Sequence, residues 1–361
     1  MKRIEQLRQI MATENIDLVA IGAGAHMAWL AGVRPHSDER PLLLCVSQHY
    51  AGFLMPSLEA DSVRQHTELP FHPWSDNDGP QEAMAELLKV GKVNTATSIA
   101  LDETMRADFA ALVQDQLPNA RHQFCASTIG TLRLCKGDDE FSKLKQSASV
   151  ADAAMQAAWS SMAPGMTETE AADVVRAHFQ SHGVKPLFTI VGAGANGAFP
   201  HHSTGETTLK VGDAVVMDIG GALNGYPSDI TRSAIIGTRP EGYEDIHDTV
   251  EAAVVAALAA AKPGVKACDV DAAARNVINE AGYGEYFMHR TGHGLGVEVH
   301  EPPYITASSQ TLLQEGMVFS IEPGIYLPNR FGIRLEEIVI LRADGPEILS
   351  ELPRHAHVVT Q

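Results

Sequence analysis

The chain has 361 residues, 45% of them hydrophobic, with 27 basic against 45 acidic side chains and a net charge of −18. That length exceeds one ordinary core and suits two domains, while the acidic balance argues against nucleic acid or an anionic membrane as partner and leaves cationic ligands and metals open. Cys45, Cys125, Cys135 and Cys268 include no Cys-x-x-Cys pair, so neither a disulfide framework nor a zinc knuckle is indicated and a reducing compartment is expected.

The start, MKRIEQLRQIMATEN, meets Glu5, Gln6 and Arg8 before any apolar run, which makes it a helix and not a signal peptide. No 18-residue apolar stretch follows, so no membrane span is expected and the chain reads as cytoplasmic. Apolar IDLVAIGAG and RPLLLCVSQ, helical AMAELLKVG and strand-like TSIALDE then alternate, predicting an α/β domain over residues 1–128. From Lys136, KGDDEFSKLKQSASVADAAMQAAW has helical periodicity with acids early, so a second domain is placed at 129–361.

The second domain repeats itself. Pro164-Gly165, opening a helical pattern, recurs 99 residues later as Pro263-Gly264, and His201 recurs as His300. GDAVVMDIGG (212–221) is echoed by EGMVFSIEPG (315–324), so that Asp218 matches Glu322. Two α/β halves related by a pseudo-twofold are expected. Between them, IVGAGANGAF places Gly192, Gly194 and Gly197 in a G-x-G-x-x-G pattern, which would bind a dinucleotide only if a helix followed. AFPHHSTGETTLKVGD supplies Pro200 and Gly205 instead, so an oxidoreductase is a remote alternative.

Each echoed strand carries an acid, and a second acid follows shortly after. Asn224-Gly225 is a strong two-residue hairpin signal that pairs 223 with 226 and 220 with 229, which leaves Asp218 and Asp229 as diagonal neighbours on one face. If PNRFG (328–332) is the second loop, 327 pairs with 333 and 324 with 336, and Glu336 is diagonal to Glu322. Acids within apolar strands are rarely left unpaired, and four converging anions repel unless cations separate them. Two divalent metals would supply the compensating charge, hold a bridging water and lower its pKa. In TGHGLGVEVHEPP (291–303), glycines rule out the helical reading of His289 and His293, and the alternation of GVEVH predicts a half-buried strand. His293 is the best nitrogen ligand, and an oxygen-rich set with one nitrogen suits Mn²⁺, with Co²⁺ or Zn²⁺ less selective choices.

VVMDIGGALNGYPSDITRS, HRTGHGLGVEVHEPP, FSIEPGIYLPN and GIRLEEIVIL resemble the pita-bread metallopeptidases, specifically Xaa-Pro dipeptidases (prolidases) and aminopeptidase P. The resemblance implies a creatinase/prolidase-like α/β N-terminal domain, then a pseudo-twofold pita-bread catalytic domain, an α/β (α+β) chain overall that forms a homodimer and hydrolyses the bond preceding proline in small peptides. It carries the five metal ligands onto Asp218, Asp229, His293, Glu322 and Glu336, with Asp229 and Glu336 bridging two ions, Asp218 on one, and His293 with Glu322 on the other. It places His201 and His300 beside the substrate, His300 near the scissile carbonyl, and His289 and Arg334 around the site. A methionine aminopeptidase would match only the second domain, and the intact ligand set argues against creatinase-like relatives or a non-catalytic binding protein. A dipeptidase must also meet proline's free carboxylate, ordinarily with an arginine. The family's arginine positions hold Tyr304 and Ser308 here, which leaves Arg34 and Arg40 in GVRPHSDERP as candidates. A dipeptidase is favoured, and an aminopeptidase P acting on longer peptides is the alternative.

Overall fold

In the computed structural model, which describes residues 2–360, the apolar runs of the first third of the chain become a six-stranded mixed sheet. Its order is Phe71–Trp74, Ala51–Pro56, Leu43–Ser47, Leu18–Gly22, Ser98–Leu101 and Arg121–Phe124. The two middle strands, Leu43–Ser47 and Leu18–Gly22, are buried at every position, which is why their sequences are continuously apolar instead of alternating. Helices Lys2–Glu14 and Gln81–Val90 bury residues three and four apart, such as Ile4, Leu7 and Met11, as amphipathic surface helices do. The chain divides into two compact units, Met1–Arg133 and Leu134–Gln361.

The second unit is a helix pair and a sheet, built twice. Asp138–Ser161 and Glu168–Ser181 precede strands Lys185–Ala193, Ala214–Leu223 and Ile230–Ile236; Tyr243–Ala260 and Ala267–Glu280 precede Gly292–Gly294, Val318–Ile321 and Glu337–Arg342. Thr167 caps its helix in a box with Glu170, two donors satisfied reciprocally. The repeat reaches the backbone: Gly165 and Gly264 have φ of 92° and 86°, Gly212 and Gly316 of 98° and 87°, and the amides of Gly165 and Gly264 donate to Leu209 and Leu313, each at 2.8 Å. Only glycine takes such left-handed geometry without cost.

The first hairpin has the expected register. Asn224 and Gly225 both have positive φ, Leu223 pairs with Tyr226, and Asp218 pairs with Thr231. The second hairpin differs from expectation: Leu327 pairs with Phe331 and Gly324 with Arg334. Asn329 adopts φ 62° and closes a three-residue loop over 328–330, two residues shorter than expected. The separate ladder of Val318–Ile321 with Glu337–Arg342 keeps the same offset, with Ile321 opposite Glu337, so Glu322 and Glu336 fall at facing positions between the two ladders and not at diagonal ones. A slip of two residues keeps every side chain on its face, so the convergence of acids survives the correction.

GVEVH is not a strand. The strands are Gly292–Gly294 and Glu301–Ile305, and residues 296–300 form bends between them. The amides of Val297 and Glu298 donate to Glu301 Oε2 at 3.1 and 3.2 Å, so donors that a ladder would use wrap a carboxylate instead. Glu301 is buried and held by Lys136 Nζ at 2.8 Å. A Cβ on Gly296 would lie 2.2 Å from Glu301 Oε1, so the turn around the acid requires glycine.

Arg232 ties the two halves of this unit together. It is fully buried, pairs with Glu337 at 2.9 Å, and donates to the carbonyls of Glu336, Leu352 and Pro353. Replacing it with leucine leaves the buried Glu337 carboxylate to Arg354 alone, at 3.1 Å, and strands several carbonyls. Arg232→Leu should therefore cost roughly 3–5 kcal/mol, measured as a lowered urea midpoint for the second unit's transition.

Candidate metal centre

The two hairpins deliver their acids to one point. Ligand atoms of Asp218, Asp229 and Glu336 lie within 4.8 Å of one another, and so do those of His293, Glu322 and Glu336. Glu336 belongs to both trios. A third such trio joins Asp229, His293 and His300, so Asp229 also touches both sides. His293 sits in the buried strand Gly292–Gly294, where a Cβ on Gly292 would lie 1.9 Å from the Ser320 carbonyl oxygen; only glycine lets the strands approach so closely. The His293 Nδ1–H donates to the Gly294 carbonyl, which turns Nε2 toward Glu322 Oε1 at 3.2 Å and Asp229 Oδ2 at 3.6 Å.

The charges do not balance within the protein. Burial, reinforced by the neighbouring acids, raises Asp229 and Glu336 well above the usual carboxylate range. Burial also raises Asp218, although Arg334 opposes it from 2.6 Å. At Glu322 burial acts upward too, but His293, His289 and Arg334 outweigh it and lower the pKa. Asp218 Oδ1 and Glu336 Oε1 are buried without a hydrogen-bond partner. Unpartnered carboxylate oxygens facing one another, beside an imidazole nitrogen aimed among them, fit divalent cations.

Arg334 and His289 have definite places beside the acids. Arg334 donates to Asp218, to the Tyr326 hydroxyl at 2.8 Å and to Thr231 Oγ1 at 3.2 Å. His289 Nδ1–H donates to the Arg290 carbonyl at 2.7 Å, leaving Nε2 to accept from the Tyr326 hydroxyl at 2.8 Å. Burial pushes that phenol up to about 12 and lowers His289, so the chain Asp218–Arg334–Tyr326–His289 orients Asp218 with its tautomers set. His289 lies outside the metal-binding trios.

A cavity of about 540 Å³ opens over the acids. Phe188, Ile190 and Val299 supply apolar wall, and His201, His300 and Arg290 supply polar wall. The His300 ring lies 4.0 Å from the His293 ring, and desolvation, with the charges of His293 and Arg290, lowers its pKa to about 4. Arg34 and Arg40 belong to the first unit. Arg34 lines a different cavity there, with His36 and His66, and Arg40 spreads its guanidinium over Asp38 and Asp76 at 2.8 and 2.9 Å. The dinucleotide alternative has no support here, because Gly194–Ala198 is a short 3₁₀ turn and a bend follows where a helix was required.

Residues 142–343 match the model of metallopeptidase family M24, and residues 3–135 match the Creatinase/Prolidase N-terminal domain. The chain belongs to metallopeptidase family M24. This M24 peptidase is 32% identical to an Xaa-Pro dipeptidase of Pyrococcus furiosus, covering 98% of this chain and 99% of the relative. The structure of dipeptidase PepE from Mycobacterium ulcerans is similar with a TM-score of 0.94, 33% identity and coverage of 99% and 97%. That of an X-Pro aminopeptidase from Thermotoga maritima is similar with a TM-score of 0.87, 30% identity and 99% coverage of both. Membership implies divalent metal binding, and no helix among the described residues is long and apolar enough to cross a membrane.

Sequence reasoning missed Tyr326, Thr231, Lys136 and Arg290. None sits in a spacing that signals chemistry; Thr231 reaches Glu336 Oε2 at 2.8 Å and Lys136 reaches Glu301 at 2.8 Å from far away in sequence, while Arg290 lines the cavity itself. The sign of the linkage gives a test. Asp229 and Glu336 are raised in the folded chain, so their contribution to metal-free stability is complete below the unfolded value, 3.8 for Asp229, and is lost as pH rises through the folded values. Asparagine cannot ionise. Metal-free Asp229→Asn should therefore melt higher than metal-free wild type at pH 8, by roughly 1–3 kcal/mol, in thermal denaturation with chelator present.

Proposed function

We propose that this M24 peptidase hydrolyses the bond preceding proline in Xaa-Pro dipeptides, using two divalent ions, Mn²⁺ foremost and Co²⁺ or Zn²⁺ as alternatives. The observation that carries the proposal is the meeting of Asp218, Asp229, Glu322, Glu336 and His293 beneath a cavity with apolar walls. The full-length likeness to an Xaa-Pro dipeptidase supports the substrate class. In this reading Asp229 and Glu336 would be shared by the two ions, Asp218 would hold one, and His293 with Glu322 would hold the other. Residues 129–361 are the catalytic domain and 1–128 the N-terminal domain. The active form is a cytoplasmic homodimer.

When bound, the ions supply Lewis acidity at the carbonyl and lower the pKa of the attacking water. The protein's own groups do the rest. Arg334 fixes one Asp218 oxygen and leaves the other to the cation, an outer partner setting the geometry of a ligand. His300, lowered to about 4, is neutral at pH 7 and so donates an N–H to the carbonyl oxygen as charge develops there. His201, lining the same cavity, flanks the substrate. Phe188, Ile190 and Val299 present an apolar surface for the pyrrolidine ring.

Chelation should abolish peptidase activity and added Mn²⁺ or Co²⁺ should restore it; full activity in metal-free protein would overturn the proposal. Asp229→Asn should be folded and inactive. His300→Ala should lower kcat by roughly 10²–10³-fold with both metal equivalents retained, as loss of an oxyanion donor does, whereas His293→Ala should lose a metal equivalent. Metal analysis beside kinetics separates the two roles, and the reverse pattern would exchange them. The likeness to an X-Pro aminopeptidase favours a second reading in which longer peptides are cleaved. Rates on Ala-Pro against Ala-Pro-Ala decide between them, the dipeptide being faster if the first reading holds.

A further inference from the structure

An acidic floor solves one recognition problem and creates another. The four carboxylates attract a protonated amino terminus and repel the carboxylate of a substrate that ends in proline. A dipeptidase built on this floor needs a cation in its wall. Among the residues lining the cavity the arginines are Arg334 and Arg290. Arg334 is buried and committed to Asp218, Tyr326 and Thr231. Arg40 is likewise committed to Asp38 and Asp76.

Arg290 is in the opposite state. Its guanidinium has no acidic partner among the described residues; its recorded contact is the ring of Tyr304, with 4.8 Å from Cζ to the centroid. Tyr304 lies directly across the ladder from His293, so this stacked guanidinium stands one rung from a metal-site residue. Its backbone is pinned as well, since the Arg290 carbonyl accepts from His289 and Arg275 donates to the neighbouring His289 carbonyl at 3.0 Å. An arginine held over an aromatic face keeps its planar fork pre-organised while its N–H groups stay free to donate. It lines the same cavity as His300.

We propose that Arg290, seated on Tyr304, is the specificity residue that binds the substrate's C-terminal carboxylate. The inference rests on the dipeptidase reading and moves carboxylate recognition from Arg34 and Arg40 to Arg290. Tyr304 is the positioning residue for the guanidinium.

The test uses full-length, Mn²⁺-loaded protein with Ala-Pro and its C-terminal amide. In wild type, kcat/KM should favour the acid over the amide. Arg290→Ala should raise KM for Ala-Pro roughly ten- to a hundredfold, as loss of a charge-assisted pair does, and bring the acid-to-amide ratio toward one. Arg290→Lys should keep part of the preference, because the charge remains and the fork is lost. Calorimetric titration with L-proline and L-prolinamide gives a readout independent of turnover: wild type should bind proline more tightly, and Arg290→Ala should bind the two alike. Equal losses on acid and amide in Arg290→Ala, with the proline preference intact, would overturn the inference. Failure of wild type to cleave either substrate would instead sink the dipeptidase reading, and the proline titration would still decide the role of Arg290.

Discussion

Four carboxylates meeting in a buried space is the constraint around which the second unit is organised. Burial, reinforced by the neighbouring acids, raises three of them above their usual range, and the cations among the described residues do not neutralise the set. Arg334 compensates Asp218, and the His293 ring lies beside Glu322. Asp229 and Glu336 are left for something the protein must bind. The site thus stores an unfavourable electrostatic energy that cations release, which is how a preformed centre selects metal over water.

Holding such a group of anions together requires rigid supports, and the duplicated fold supplies them in pairs. Each half contributes one strand acid and one hairpin acid, and the register of each hairpin is set by a residue in left-handed geometry, Asn224 with Gly225 in one and Asn329 in the other. Thr231 crosses from the first half to accept from Arg334 and donate to Glu336, while Arg232 binds the Glu336 carbonyl. Neighbouring residues of one strand therefore fix both the side chain and the backbone of an acid about a hundred positions away.

The loops above the acids follow the same logic of buried charge organising backbone. Glu168 is buried and accepts from the amides of Ala193 and Gly205, from Asn196 and from His202, so one carboxylate shapes the segment carrying His201. Glu301, held by Lys136, does the same for the turn that ends at His300. The two cavity histidines are thus placed by equivalent devices in the two halves, one internal acid each.

The sequence by itself determined the internal duplication, the acid-bearing strands, the Asn-Gly hairpin register and the grouping of Asp218, Asp229, His293, Glu322 and Glu336. The first three are carried by local periodicity or by echoed motifs, which survive in one dimension, and the grouping of the five residues rests on the resemblance to the family as well. The tertiary structure decided what depends on partners distant in the chain. Gly-Val-Glu-Val-His alternates like a strand, yet becomes a turn because its amides find the Glu301 carboxylate, and that buried carboxylate is paired by Lys136 from 165 positions away. Glu322 and Glu336 fall at facing positions because Asn329 shortens a loop whose length the flanking residues leave open. Arg40 and Arg290 look alike as isolated letters. Only the fold gives one of them three acidic partners and leaves the other, stacked on a tyrosine, without one among the described residues, because pairing is settled by which side chains are brought together in space.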